Sequence, residues 1–170
     1  QAVARIKRFY AARTVGHAGT RHPLATGILP IALGEPTKTD SYAVDDEKGY
    51  AFTGGGGGET TPDDAEGEAV NVSDARPTVA DIEAVLDRFV GAIAQVPPKF
   101  SAIKVNGNRA YDLARDGEEV ELKARTVEIA DLKVIDSADA EHTVFAAICG
   151  KGHYVRSLAR DIGRELGGYG

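Results

Sequence analysis

Residues 125–136 read RTVEIADLKVID, residues 143–152 read TVFAAICGKG, and residues 154–166 read YVRSLARDIGREL. The first two pieces are rich in β-branched and aromatic residues and read as two strands, neighbours in an antiparallel sheet. The third places Val155, Leu158, Ala159 and Ile162 on one helical face, the inward one. Arg156, Arg160 and Arg164 recur every four residues and share another face, which reads as solvated for Arg160 and Arg164. Strands that run into an amphipathic helix without a regular βαβ alternation indicate an α+β class.

Working outward, the same mixture continues. SAIKVNG (101–107) alternates in strand fashion into an Asn-Gly turn, and AYDLARDG (110–117) reads as a short helix ending at Gly117. A further helix is expected over 79–91. Thr78 is a good N-cap with Asp81 three residues on, a capping-box pattern, and Ile82, Val85, Leu86 and Phe89 fall on one face. That helix stops before QVPPKF, where Pro97 and Pro98 forbid continuation. KGYAFT (48–53) is a strand around Tyr50. It runs into five glycines, Gly54–Gly58, which have no side chains to pack and should weaken the strand. Residues 54–70 are therefore expected to be irregular. Near the start, residues 2–12 read as a short amphipathic helix. The apolar run Ile28–Leu33 fits either a buried helical turn or a strand.

The chain has 170 residues, enough for one domain with a sizeable core, and its 42% apolar and 27% charged content is that of a soluble globular protein. No apolar run is long enough to span a bilayer and no secretory leader opens the chain, so a cytoplasmic place and no membrane partner are expected. The lone cysteine, Cys149, excludes an intrachain disulfide. Net charge is −6, an argument against nucleic acid, but the charges are unevenly spread. Residues 1–38 carry six Lys/Arg and one acid, residues 39–70 carry nine acids and one base, and residues 141–170 carry four bases and three acids. A basic segment of this kind can serve a polyanion on one face.

One further stretch stands apart. GTRHPLATG (19–27) holds Arg21 and His22 side by side before Pro23, with a glycine at each end. By itself this is a polar turn. His17, His22, His153 and Cys149 match no compact metal-ligand spacing, so no metal is expected. DDAEGE (63–68) lacks the spacing and closing glutamate of a calcium loop.

Three motifs in order carry a resemblance over nearly the whole chain: VGHAGTRHPLATGILPIALGEPTK (15–38), PPKFSAIKVNGNRAYDLARDGEEVE (97–121) and CGKGHYVRSLARDIGRELG (149–167). Together they resemble the TruB family of bacterial tRNA pseudouridine synthases. The resemblance implies a pseudouridine synthase fold, a mixed and mostly antiparallel sheet flanked by helices. It implies a partial catalytic domain over 1–170, without the family's first strand segment and its C-terminal RNA-binding module. It also implies conversion of uridine 55 in the tRNA T-loop to pseudouridine, with no cofactor, by a monomer whose partner is the T-stem-loop and not DNA. A base must leave the stack before chemistry can be done on it.

Residue roles follow from the same resemblance. Gly19, Thr20 and Pro23–Gly27 match the family's loop. Arg21 stands where leucine is usual, and His22 stands at the position of the family's catalytic aspartate. His17 matches a histidine that helps hold the flipped nucleotide. Tyr50 matches the active-site tyrosine that stacks on the target base, and Tyr154 a second tyrosine lining the pocket. Arg156 matches the arginine that pairs with the catalytic carboxylate. His153 stands where threonine is usual. With His22 in place of a carboxylate, the alternative is an inactive tRNA-binding protein on the same scaffold.

Overall fold

The computed structural model describes residues 2–17, 25–34, 47–60, 69–98, 101, 104–105, 108–109, 122–137, 139 and 141–168. The chain divides into two compact units, residues 1–46 and 47–170.

In the first unit, helix α1 spans Ala2–Phe9 and buries none of its residues. Strands β1 (Val15–His17) and β2 (Ile31–Leu33) pair antiparallel, Val15 opposite Leu33 and His17 opposite Ile31. The apolar run at 28–33 is thus a strand only in its second half, after Pro30, and Ile28 is exposed.

The second unit is built on a four-stranded antiparallel sheet. Its members are β3 (Lys48–Gly55), β6 (Gly91–Gln95), β9 (Arg125–Ser137) and β10 (His142–Cys149), in the order β3-β10-β9-β6. Short β4 (Gly58–Thr60) and β5 (Ala69–Val72) form one hairpin, and β7 (Lys104–Val105) and β8 (Asn108–Arg109) another. Helices α2 (Val79–Leu86) and α3 (Val155–Glu165) contribute Ile82, Leu86, Leu158 and Ile162 to a core completed by Ile129, Leu132, Phe145, Ala147 and Cys149 from the sheet. The inward positions of β9 do not keep a strict period of two. Its pairing with β10 shifts register between Ile148 and Cys149, so Ile129 and Leu132, three apart, both face the core.

Three expectations need correction. The glycine run is ordered. Gly54 and Gly55 extend β3 opposite Thr143 and His142, Gly56 and Gly57 make the turn, and Gly58 begins β4. Gly57 has φ of 107°, and a Cβ there would meet the Arg76 guanidinium at 3.0 Å, so the turn requires glycine. The helix at 79 has the expected capping box, with the Thr78 hydroxyl accepting from the Asp81 N–H and the Asp81 carboxylate accepting from the Thr78 N–H. It ends at Leu86, however. A single 3₁₀ turn follows over Asp87–Phe89, Val90 is extended, and the next five residues form edge strand β6, well before the prolines. The arginine row on α3 is a solvated face only in part. Arg160 is buried, donating to the Val96 carbonyl at 2.9 Å and to Asp161, whereas Arg164 is exposed as expected and reaches the buried Glu59. The expected helix at 110–117, the Asn106–Gly107 turn and residues 61–68 lie outside the described residues.

Candidate functional site

Tyr50 sits on β3 opposite Ala147 of β10, and its ring packs partly against the core. β10 ends at Cys149. Gly150, Lys151 and Gly152 then turn the chain back toward α3, and His153 falls against Tyr50 with ring centroids 4.8 Å apart at 66°, edge to face. Tyr154 and Arg156, on the start of α3, follow directly. Three residues singled out in the sequence, Tyr50, Tyr154 and Arg156, thus lie on the elements that meet at this end of the sheet, with His153 between them.

Burial and the neighbouring Cys149 raise the Tyr50 hydroxyl above its ordinary range, so it stays a protonated donor at neutral pH. Burial likewise pushes the Cys149 thiol up to about 11, which makes it a packing group and not a nucleophile. His153 moves the other way. Burial lowers its tendency to protonate, the bond to Gly150 opposes that, and the Lys48 charge adds to the lowering. Its Nδ1 lies 3.1 Å from the Gly150 carbonyl. A carbonyl only accepts, so Nδ1 carries the proton of the neutral ring. Nε2 is then a buried lone pair without a hydrogen-bond partner among the described residues.

The start of α3 is unusual. Its N-cap is Tyr154, with extended backbone (φ −126°, ψ 118°), no side-chain cap and no acid in the first turn. Arg156 sits in that turn, where a cation opposes the helix dipole. The N-cap residue is held instead from β6. Gln95 Oε1 accepts from the Tyr154 N–H at 2.7 Å, and Gln95 Nε2 donates to the Tyr154 carbonyl at 3.2 Å. Gln95 was not legible as a site residue. Its only sequence signal is a polar residue closing the apolar alternation GAIAQ.

The remaining sequence candidates lie in the first unit. His17 closes β1 and is exposed. His22 lies outside the described residues. Among the described residues no group of three His, Cys, Asp or Glu side chains could hold a metal ion, and no helix is long and apolar enough to cross a membrane. Tyr50 supplies an aromatic ring and a protonated phenol, and Arg156, in the first turn of α3, supplies a positive charge.

The family model for the N-terminal domain of the TruB family pseudouridylate synthases matches residues 7–155. The tRNA pseudouridine synthase B of Brucella anthropi is 56% identical over 170 residues, 100% of this chain and 52% of that protein. That of Caulobacter vibrioides is 55% identical over 166 residues, 98% of this chain and 54% of that protein. The chain spans about half the length of these curated relatives. Among solved structures, a chain of a Cbf5–Nop10–Gar1 complex superimposes with a TM-score of 0.67 at 26% identity, over 99% of this chain and 40% of that one. A chain of an H/ACA ribonucleoprotein structure gives the same TM-score at 21% identity, over 99% of this chain and 39% of that one.

Proposed function

The chain belongs to the TruB family of pseudouridylate synthases, and we propose that it forms the catalytic face of a tRNA pseudouridine synthase acting on uridine 55 of the T-loop. The observation that carries this is the placement of Tyr50 against His153, immediately before Tyr154 and Arg156 at the start of α3. An extruded uracil needs a flat surface to replace its lost stacking, and the Tyr50 ring supplies one. In the reaction the bond from uracil N1 to ribose C1′ breaks, the base turns, C5 bonds to C1′ and gives up its proton to water, and N1 takes up a proton in exchange. The product is an isomer of the substrate, so no other co-reactant is needed. The protein must hold the freed base and stabilise charge, which needs no metal or organic cofactor. The partner on this reading is the T-stem-loop of a cytoplasmic tRNA, met by a monomer.

The family's carboxylate position holds His22. On the pairing that the family resemblance implies, a carboxylate at position 22 would be kept ionised and oriented by Arg156. An imidazole offers that arginine no negative charge, and once protonated it would repel it on the same pairing. This favours a second reading, an RNA-binding scaffold without turnover. Release of tritium from uridine C5 of a T-stem-loop decides between them. We expect little or no release from the chain with His22 and measurable release from His22→Asp. Robust turnover with His22 in place would overturn the carboxylate account. Failure of both forms to bind the stem-loop would overturn the RNA reading itself.

A further inference from the structure

We infer that Gln95 is a positioning residue whose side-chain amide, bonded to both backbone groups of Tyr154, sets the start of α3 and with it the side chains of Tyr154 and Arg156. The inference rests on the function proposed above, because it is that reading which gives Tyr154 and Arg156 work to do.

Gln95 is 1% exposed and is the last residue of β6. Its backbone is fixed by pairing with Arg125 of β9. Its amide oxygen takes the Tyr154 N–H at 2.7 Å and its amide nitrogen reaches the Tyr154 carbonyl at 3.2 Å. The same carbonyl accepts from the Leu158 N–H at 3.1 Å, the first bond of the helix. The amide orientation is therefore determined, since a flipped group would set donor against donor and acceptor against acceptor. A second fastening follows in sequence. The carbonyl of Val96 accepts from Arg160 Nη2 at 2.9 Å, so the end of β6 and the first turns of α3 are joined at two points.

A serine, threonine or aspartate at position 154 would cap the helix locally by accepting from the Arg156 or Ser157 N–H. The chain instead places a tyrosine there and holds that residue's own backbone by hydrogen bonds from a residue 59 positions away. A local cap stabilises a helix wherever it sits. A long-range amide also ties the helix start to a particular strand. That tie fixes the direction in which residues 154 and 156 leave the backbone. The difference matters only if those side chains must meet something.

Two measurements on the chain test this. The first is amide hydrogen exchange of Tyr154 and Leu158 in the free protein, the two N–H groups tied to the clamp directly and through the Tyr154 carbonyl. Gln95→Leu fills the space without bonding, and protection should fall at these two amides while β9 and β10 stay protected. The second is affinity for an unmodified tRNA T-stem-loop in two backgrounds. Gln95→Leu should weaken binding by about fivefold or more in the native background. It should add less than about twofold when Tyr154→Ala and Arg156→Ala are already present, the non-additivity of groups that act through one another. If Gln95→Leu loses its cooperative thermal transition, Gln95→Asn, an amide one methylene short, takes its place with the same expected contrast. Unchanged protection at Tyr154, or an equal loss of affinity in both backgrounds, would overturn the inference. If the native chain binds no stem-loop, the RNA reading falls, and unchanged exchange at Tyr154 would then overturn the clamp on its own.

Discussion

Tyr50 faces two demands that pull apart. Its ring must be open enough to receive a base, yet it is held edge-on by His153 and opposite Ala147 by the β3–β10 register. Stacking uses the ring and not the hydroxyl. Tyr50→Ala should therefore cost about 1–3 kcal/mol of stem-loop affinity, while Tyr50→Phe keeps most of it. Titration of both variants checks this. An equal loss in the two would assign the role to the hydroxyl, and no loss in either would place Tyr50 outside the interface. The strand that carries Tyr50 was legible in the sequence because KGYAF has a local strand pattern. Gln95 was not, because its meaning comes from bonds to a residue far along the chain. Arg160 was misread for the same reason. A four-residue arginine spacing shows that side chains share a face, but whether that face meets water or the Val96 carbonyl depends on a strand that local pattern does not reveal.

At the scale of elements, patterns with a local cause survived and patterns overridden by packing did not. The Thr78–Asp81 box is made within four residues, and it formed as expected. The end of that helix was mistaken because Phe89 completes the apolar face yet belongs to a 3₁₀ turn, after which Gly91–Gln95 finds a strand partner in β9. The glycine run is the plainest case. Low strand propensity predicts irregular structure, but Gly54 lies where a Cβ would meet Phe145 Cε2 at 3.0 Å, with Phe145 itself stacked on Phe52 at 5.2 Å. There glycine makes room for an aromatic pair, and cross-strand bonding to Thr143 holds the backbone. At Gly55 nothing lies within 4 Å of an added Cβ. Gly54→Ala should thus destabilise the fold by about 1–3 kcal/mol through overpacking against Phe145. Gly55→Ala should be neutral or gain up to about 1 kcal/mol by restricting the unfolded chain. Urea unfolding of the two variants reads the contrast. Equal effects would mean that the Phe145 contact does not govern the run.

Over the whole molecule the net charge of −6 points away from RNA, and the distribution of charge points toward it. The change from basic to acidic sequence near residue 38 lies close to the boundary at 46/47 between the two compact units, so the units differ in electrostatic character. The α+β class was legible from residues 125–166 alone, because two strands and a helix there have unbroken local patterns. The division into two units was not, since it depends on where contacts are sparse. Charge also separates the arginines by what they can do. Arg164 is committed to Glu59, and Glu59, being buried, needs that partner and Asn71. Lys7 and Arg8 lie in the last turn of α1, a helix with no buried residues. Phosphate contacts release counterions, each adding about −0.7 to −0.9 to the slope of log affinity against log salt. A footprint of three to five phosphates would weaken stem-loop binding roughly a hundredfold between about 50 and 200 mM salt. Replacing Lys7 and Arg8 together by alanine should make the slope shallower by about 1.5, whereas Arg164→Ala should leave it unchanged and lower stability instead. Affinity measured at four salt concentrations for the native chain and both variants reads these slopes. Salt-independent binding would remove the polyanion from the account. A slope that falls with Arg164→Ala but not with the α1 pair would move the RNA to the face of α3.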